Sequence, residues 1–322
     1  MSPAAPSPIH EIQIGEGFPL GSTHELAVGP DGAVWVTQQD QSRLVRITFD
    51  SEPSYFPLAP GLGPHGLAFA AGGHMWLTLQ FVNEIAQVAI EPKFEILQTY
   101  PIRVPAAPHG LTIANDGSVW WTGKYGGVIG RLDPSSGDMQ IFPLPDRYSQ
   151  PIYIRHDVDP QGSGAIYFTE LTHNAIGSIT ADGTITEYQL PPGLSRPIAV
   201  AIRDGQVWFT AESGHFGVLD PSSGRFNVFP IPTSNPPSEL ASLAFDANGT
   251  LWLEINGPNG ACAIGRVDSG MNVILFPVPT PKTMLHRIIL GPKQSMWFTE
   301  MATDTVGWIS TSPEALAGVS AG

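Results

Sequence analysis

Cysteine, positive charge and long apolar runs are all scarce in this chain of 322 residues, and each shortage argues against a class of protein. Cys262 is the only cysteine, so no internal disulfide can form. The 15 Lys and Arg residues are outnumbered by 29 Asp and Glu, which argues against binding of nucleic acid or anionic lipid. No apolar run is long enough to span a membrane. The opening residues MSPAAPSP lack the basic and apolar stretches of a secretory signal, so we expect a cytoplasmic protein.

Glycine and proline are abundant instead, and they occur together with many apolar residues. The sequence contains 35 Gly and 32 Pro, while 42% of its residues are apolar. A disordered chain rich in Gly and Pro would contain far fewer apolar residues. The composition therefore predicts an all-β protein with many turns.

One sequence pattern recurs seven times along the chain. Each copy has an alternating apolar run, a short turn and a second run centred on an aromatic residue, as in HGLTIANDGSVWWTG (109–123). Two further apolar runs follow in most copies, which gives four short strands per repeat. The central aromatic residues are 41 to 47 residues apart and are Trp35, Trp76, Trp120, Tyr167, Trp208, Trp252 and Trp297.

Four strands at this period are typical of the blade of a β-propeller, so seven repeats predict seven blades of four antiparallel strands. The last repeat has no fourth strand after VGWIST (306–311), whereas the strand-like segment IHEIQI (9–14) precedes the first repeat. Pairing of this N-terminal strand in the last blade would close the ring and remove exposed sheet edges. We predict one domain over residues 1–322, with flexible tails at 1–8 and 312–322.

A histidine recurs at one position of the repeat. The first strand of each propeller blade lines the central axis, so histidines at this position should form a ring at one mouth of the channel. Counting back eleven residues from the central aromatics gives five of the nine histidines, namely His24, His65, His109, His156 and His286.

Two carboxylates are predicted to lie beside this ring. Glu170 and Glu300 each stand three residues after a central aromatic, so a regular hairpin places them opposite His156 and His286. Imidazoles and carboxylates in a concave site can hold a divalent metal or act as general acid and base. The alternative is that duplication of the repeat copied a packing histidine that has no chemical role.

Other side chains are predicted to bind a substrate. The long loops between blades open on the histidine side and should form the walls of a pocket. Aromatic residues in these loops would pack an apolar ligand. The predicted substrate-binding residues are His65, His109, Phe81, Tyr125, Tyr148, Tyr153 and His173.

Several motifs resemble the virginiamycin B lyase (streptogramin lyase) family. They are PHGL, GPDGAVWVTQ, AIGRVD and WFTE, and the resemblance extends over nearly the whole chain. It implies a seven-bladed propeller that opens the ester-closed ring of a cyclic peptide antibiotic by elimination. It also implies a magnesium ion and a histidine base at the mouth of the channel.

The resemblance also assigns roles to residues of the last blade. His286 matches the family's base, and Glu300 matches one of its metal-binding carboxylates. Met284 stands where the family has a second Glu, while Ala241 and His24 replace a family histidine and tyrosine. The resemblance thus implies magnesium held by Glu300 beside His286, whereas a site richer in imidazole suits a transition metal or no metal.

Three functions are consistent with these residues. The first is a lyase that cleaves a carbon–oxygen bond of a small cyclic or polycyclic metabolite by elimination. In that enzyme His286 is the base and Glu300 the polarising group. His24 or His156 is the acid, and Glu170 belongs to the same site.

The second is a biosynthetic enzyme that dehydrates a hydroxylated substrate and guides its cyclisation, including a hetero-Diels–Alder addition. The third is a non-catalytic propeller that binds a ligand. The expected partner in each case is a small molecule.

Overall fold

The strands of the computed structural model form seven separate four-stranded antiparallel sheets. The structure describes residues 7–15, 22–49, 51–157, 163–232 and 238–316. The sheets confirm the predicted seven-bladed propeller with four strands per blade. Among the described residues, no helix has the length and apolar character needed to cross a membrane.

The strands are numbered in chain order, and β1 (Ile9–Gln13) belongs to the last blade. Blade 1 contains β2 (Thr23–Val28), β3 (Val34–Gln38), β4 (Arg43–Thr48) and β5 (Ser51–Pro57). Blade 2 contains β6 (Pro64–Phe69), β7 (Met75–Leu79), β8 (Glu84–Ala89) and β9 (Glu95–Pro101). Blade 3 contains β10 (Pro108–Ile113), β11 (Val119–Gly123), β12 (Val128–Leu132) and β13 (Met139–Pro143). Blade 4 contains β14 (Pro151–His156), β15 (Ile166–Glu170), β16 (Ala175–Ile179) and β17 (Ile185–Gln189).

The remaining blades follow the same order. Blade 5 contains β18 (Pro197–Arg203), β19 (Gln206–Ala211), β20 (His215–Asp220) and β21 (Arg225–Pro230). Blade 6 contains β22 (Glu239–Phe245), β23 (Leu251–Asn256), β24 (Ala263–Val267) and β25 (Val273–Pro277). Blade 7 contains β26 (Leu285–Gly291), β27 (Ser295–Glu300) and β28 (Thr305–Ser310), and β1 is its fourth strand. Two 3₁₀ turns lie at Pro258–Gly260 and Met301–Thr303, and one helical turn, α1, at Pro313–Leu316.

The ring is closed by the N-terminal strand, as the sequence predicts. β1 pairs antiparallel with β28, from Ile9 opposite Ile309 to Gln13 opposite Thr305. The first strands of all seven blades also pack against one another in sequence, and β26 of blade 7 packs against β2 of blade 1. These first strands therefore surround the central axis.

The predicted tails are only partly described by the structure. Residues 1–6 and 317–322 lie outside the described residues. Residues 313–316 form α1, and Leu316 packs against the apolar core shared by blades 6 and 7.

Aromatic side chains fill the space between neighbouring blades. Five of the seven central aromatics are at most 2% exposed, namely Trp35, Trp76, Trp120, Trp252 and Trp297. Tyr167 is 4% exposed, and only Trp208 is half-buried. Each large buried ring removes much apolar area from water, which fixes the blades relative to one another. A rigid frame of this kind holds the ends of the first strands in place at the mouth of the channel.

Candidate functional site

A β-bulge in the first strand sets the direction of the side chains at the channel mouth. In blade 7, Leu285 pairs with Glu300 and Ile288 pairs with Phe298, so His286 and Arg287 together lie opposite a single residue. The first two strands of the other six blades show the same register shift. Such a bulge bends the strand and redirects its side chains. The regular hairpin assumed from the sequence, with His286 opposite Glu300, is therefore wrong by one residue.

Four histidines meet at the mouth of the channel, and we call them the histidine cluster. The ring centroids of His65 and His109 are 3.8 Å apart, and those of His24 and His65 are 4.8 Å apart. The ring centroid of His286 lies 5.1 Å from that of His24 and 5.9 Å from that of His65. His65 and His109 are buried, whereas His24 and His286 are half-buried. A small molecule in the mouth would therefore meet His24 and His286 first.

Backbone carbonyl groups fix the protonation of two of these rings. His24 Nδ1 lies 2.8 Å from the Ser22 carbonyl oxygen, and His109 Nδ1 lies 3.0 Å from the Ile152 carbonyl oxygen. Because a carbonyl oxygen only accepts hydrogen bonds, both Nδ1 atoms carry the proton. The Nε2 atoms of His24 and His109 therefore keep a lone pair when these rings are neutral.

A repeated threonine holds the strands that carry the cluster. The hydroxyl of a second-strand Thr donates to a first-strand carbonyl of the next blade in six of the seven blades, at 2.5 to 3.1 Å. Three of the accepting carbonyls belong to His24, His65 and His109. Glu254 takes the place of this Thr in blade 6, and burial raises its pKa well above its usual range. These bonds link each blade to the next at the level of the histidines.

The surroundings favour neutral imidazoles. Burial lowers the pKa of His65, His109 and His286 well below the usual 6.5. The nearby positive charges of Arg287 and Lys124 lower the pKa of His109 and His286 further. Burial also lowers the pKa of His24, but its carbonyl bond to Ser22 and nearby carboxylates oppose the shift. The cluster is thus neutral at neutral pH, with His24 the ring that is easiest to protonate.

A buried ion pair is formed by the residues that directly follow His24 and His286. Arg287 Nε lies 2.8 Å from Glu25 Oε1, and the two side chains are 3% and 5% exposed. The Arg287 guanidinium also stacks 3.9 Å from the ring centroid of Tyr153, which is itself 3% exposed. Tyr153 was predicted to contact substrate from a loop, but it is a buried residue of β14. Its ring contacts the ion pair through Arg287.

His156 does not join the cluster, so its predicted place in the ring is wrong. Pro151 of blade 4 pairs with Glu170, just as Pro108 of blade 3 pairs with Gly123, so Ile152 is the residue equivalent to His109. The hairpin between the first two strands is longer in blade 4. A count of eleven residues back from Tyr167 therefore ends at the last residue of β14, away from the mouth. His156 pairs with Ile166 there and lines a small cavity with Asp116.

Glu170 and Glu300 also lie away from the imidazoles, contrary to the regular hairpin. Both are fully buried, and each has a neighbour in the fourth strand of its blade. Glu170 lies against Glu187 and Ser149, and Glu300 lies against Glu11 and Thr283. Burial, aided by the neighbouring carboxylate, raises the pKa of each to about 8. Both side chains are therefore protonated at neutral pH.

The other predicted substrate-binding residues lie in the loops at the mouth. Phe81, Tyr125 and Tyr148 are 53%, 69% and 67% exposed. His173 belongs to the rim of blade 4, where its Nε2 receives a hydrogen bond from Gln189 at 2.8 Å. Its Nδ1 lies 3.4 Å from Asp146 Oδ2, so polar neighbours already surround this ring. The three exposed aromatics are thus available for packing, whereas His173 is tied to its own blade.

The donors for a magnesium ion of the family type are incomplete. Met284 is 47% exposed, and a thioether is not a ligand for this hard cation. Glu300 faces Glu11 and Thr283, not the histidine cluster. No three or more His, Cys, Asp or Glu side chains in the described part of the chain are grouped so that they could hold a metal ion. The residues present therefore do not fit the magnesium site that the resemblance implies.

Fold and site together define a class: a closed seven-bladed propeller with a polar, imidazole-rich mouth. The family model "Virginiamycin B lyase family" matches residues 15–219 and 161–316, so the chain belongs to the virginiamycin B lyase family. The chain is 33% identical over 188 residues to the virginiamycin B lyase of Nocardia farcinica. That alignment covers 58% of this chain and 62% of the relative, which is less than two thirds of its length.

Solved structures show the same likeness over a greater length. A catalytically inactive variant of virginiamycin B lyase from Staphylococcus aureus with quinupristin superposes with a TM-score of 0.82 at 27% identity. The match covers 94% of this chain and 99% of that protein. A streptogramin B lyase structure also has a TM-score of 0.82, at 25% identity, over 94% of this chain and 97% of the other.

Proposed function

We propose that this protein is a lyase that cleaves a carbon–oxygen bond of a small cyclic or polycyclic metabolite at the channel mouth. The observation that supports the proposal is the histidine cluster, in which neutral rings are partly open to the mouth. A neutral imidazole is the form that accepts a proton, and histidine does so near neutral pH. Membership of a lyase family supports the same type of reaction.

His286 is the proposed base and His24 the proposed acid. His286 removes a proton from carbon, and the electron pair of that C–H bond forms a double bond. The adjacent C–O bond breaks, and its electron pair leaves with the oxygen. In the fraction of molecules in which His24 is protonated, its Nε2–H gives a proton to this oxygen and leaves a neutral ring, and the centroids of the His24 and His286 rings are 5.1 Å apart. His24 suits this role because its pKa is lowered less than the pKa of the other three rings.

A second candidate is a biosynthetic enzyme that dehydrates a hydroxylated substrate and then guides its cyclisation. The three exposed aromatics of the mouth favour it, since such side chains can hold a reactive apolar product in one orientation. The acid and base would be the same two histidines. The two candidates differ in what happens after the hydroxyl leaves.

Turnover assays on chelator-treated protein test the proposal. The substrates are a panel of cyclic depsipeptides and hydroxylated polycycles, and the products show whether cyclisation follows elimination. We expect wild-type turnover to persist and the folded His286→Ala variant to lose about 100-fold or more, the usual contribution of a general base. His74→Ala, which removes an exposed histidine from a turn on the opposite face, should keep wild-type activity.

Two results would count against the proposal. Undiminished activity of His286→Ala would remove the proposed base. A stoichiometric metal that is lost together with activity would show that the chemistry depends on a metal after all.

A further inference from the structure

The link between blades 6 and 7 differs from the other six links between neighbouring blades. In those six, the hydroxyl of a second-strand Thr donates to a first-strand carbonyl of the next blade. Glu254 stands at the position of this Thr in blade 6. The carbonyl that an equivalent bond would reach is that of His286, which has the place in β26 that Ala241, one of the six acceptors, has in β22. The exception therefore concerns the strand that carries the proposed base.

Glu254 performs one half of the role of the threonine. In blade 7 the Thr299 hydroxyl also accepts a hydrogen bond, from the backbone N–H of Arg287 at 3.1 Å. Glu254 Oε2 accepts the equivalent bond from the Ser242 N–H, again at 3.1 Å. The side chain is fully buried, and its Oε1 has no hydrogen-bond partner among the described residues. Oε1 is thus the atom left for the donor half of the role.

A protonated carboxyl group can supply this donor. Burial raises the pKa of Glu254 well above 4.5, and the charge of Glu25 acts in the same direction, whereas the charge of Arg287 opposes it. A protonated carboxyl group donates one hydrogen bond, whereas a carboxylate only accepts. A buried O–H without an acceptor is costly, and the carbonyl at the position of His286 is the acceptor in the other six links.

A second side chain of β23 holds the residue before His286. Asn256 Nδ2 donates to the Leu285 carbonyl at 3.0 Å, and the Leu285 N–H donates to Asn256 Oδ1 at 2.8 Å. Cys262 Sγ lies 3.3 Å from the same Oδ1. The residue equivalent to Leu285 is proline in blades 2 to 5, namely Pro64, Pro108, Pro151 and Pro197. The Asn256 amide therefore satisfies an N–H that these four blades lack.

We propose that Glu254 and Asn256 are positioning residues for His286. The carboxyl O–H of Glu254 donates to the His286 carbonyl, and the Asn256 amide holds Leu285. Two successive residues of β26 are thus fixed by β23 at the point where the bulge interrupts the ladder within blade 7. The word positioning rests on the proposed function, which makes His286 the base, whereas the two links themselves do not.

The chemical shift of the His286 carbonyl carbon tests the Glu254 link directly. Its ¹³C signal is observed through the amide of Arg287, and it moves downfield when the oxygen accepts a hydrogen bond. The variants are Glu254→Leu, which removes the donor, and Glu254→Gln, whose amide can still donate. Thr210→Val is the matched control, because it removes the equivalent bond from β22, which carries no histidine of the cluster.

We expect an upfield shift of the His286 carbonyl signal in Glu254→Leu and signals close to wild type in Glu254→Gln and Thr210→Val. The ring signals of His286 in long-range ¹H–¹⁵N spectra should shift or broaden in Glu254→Leu and in Asn256→Ala. Asn227→Ala, at an exposed position of an outer strand, should leave them unchanged. The infrared difference spectrum of wild type and Glu254→Gln should contain the C=O stretch of a protonated carboxyl group.

Three results would overturn the proposal: an unshifted His286 carbonyl signal in folded Glu254→Leu, the bands of an ionised carboxylate in the difference spectrum, or unchanged His286 ring signals in both Glu254→Leu and Asn256→Ala. The difference spectrum decides even if Glu254→Leu does not fold.

The outcome is separate from that of the lyase hypothesis. Retained activity in His286→Ala together with the expected carbonyl shift in Glu254→Leu would refute the base and leave both links standing. Loss of activity in His286→Ala with an unshifted carbonyl signal would do the reverse.

Discussion

Arg287 is the residue whose role beside the histidine cluster was hardest to recognise from the sequence. It immediately follows His286, and its guanidinium forms a buried ion pair with Glu25 and stacks on Tyr153. Its charge is one of the causes that keep the imidazoles neutral. The sequence did indicate an ion pair, because the residue that follows the repeat histidine is Glu25 in blade 1 and Arg287 in blade 7. Only the bulge shows that this position also faces the channel.

Removing the buried ion pair as a unit should change the pH dependence of catalysis. The double variant Glu25→Gln, Arg287→Met avoids leaving one buried charge unpaired, which alone costs about 3–5 kcal/mol. Loss of the Arg287 charge should raise the pKa of His65, His109 and His286, since that charge helps to lower each of them. The acid limb of kcat/KM should therefore move to higher pH.

The control for this experiment is Arg225→Met, which removes an exposed arginine from an outer strand. Its pH profile should match wild type. An acid limb that stays in place in the double variant would show that Arg287 does not tune the cluster.

At the scale of the blade, the sequence predicted the number and order of strands but not their local register. Alternating apolar runs and Gly-containing turns identify a strand, because they follow from side-chain direction and turn geometry. The bulge leaves no such mark, since it inserts one residue without changing composition. The longer hairpin of blade 4 then carried His156 to the wrong end of its strand. Counting eleven residues back from the central aromatic therefore failed in blade 4, although it located the four histidines of the cluster.

The carboxyl pair of blade 4 should make stability fall as pH rises. Glu170 is fully buried against Glu187, and its pKa is raised from 4.5 to about 8. Between these values the folded protein binds a proton that the unfolded chain releases. The free energy of unfolding therefore decreases by about 1.4 kcal/mol per pH unit in this window. Glu170→Gln is neutral throughout and should remove this contribution.

Urea unfolding at several pH values between 4.5 and 8 measures the effect. Glu95→Gln, on an exposed outer strand, should keep the wild-type slope. A Glu170→Gln variant whose slope equals that of wild type would mean that the glutamate is ionised in the folded state.

At the scale of the whole molecule, the fold was predictable because one sequence pattern recurs seven times along the chain. Seven copies of one pattern leave little choice of architecture, and a missing last strand with a spare first one indicates how the ring closes. The site was less predictable, because it depends on how the copies differ. The strand pairing places Ile152 of blade 4 at the position that His109 occupies in blade 3, and only the structure shows this difference.

Ring closure should contribute strongly to global stability. Ile9 and Ile14 are 5% and 0% exposed, and Glu11 accepts two hydrogen bonds of 2.9 Å from Thr280. Ile14→Ala should cost about 2–5 kcal/mol, and deletion of residues 1–14 should cost more because it also exposes the edge of β28. Urea unfolding measures both. A deletion variant with the wild-type midpoint would show that the ring does not depend on its closing strand.

The central claim is that the imidazoles at the channel mouth form the reactive site, with His286 as a neutral base, and their titration tests it most directly. Long-range ¹H–¹⁵N NMR spectra, assigned with single histidine variants, report the protonation of each ring nitrogen as pH is lowered. We predict that His65, His109 and His286 stay neutral at pH 6.5, the usual pKa of histidine, with the proton of His24 and His109 on Nδ1. A His286 ring that is half-protonated at that pH would contradict its role as a neutral base.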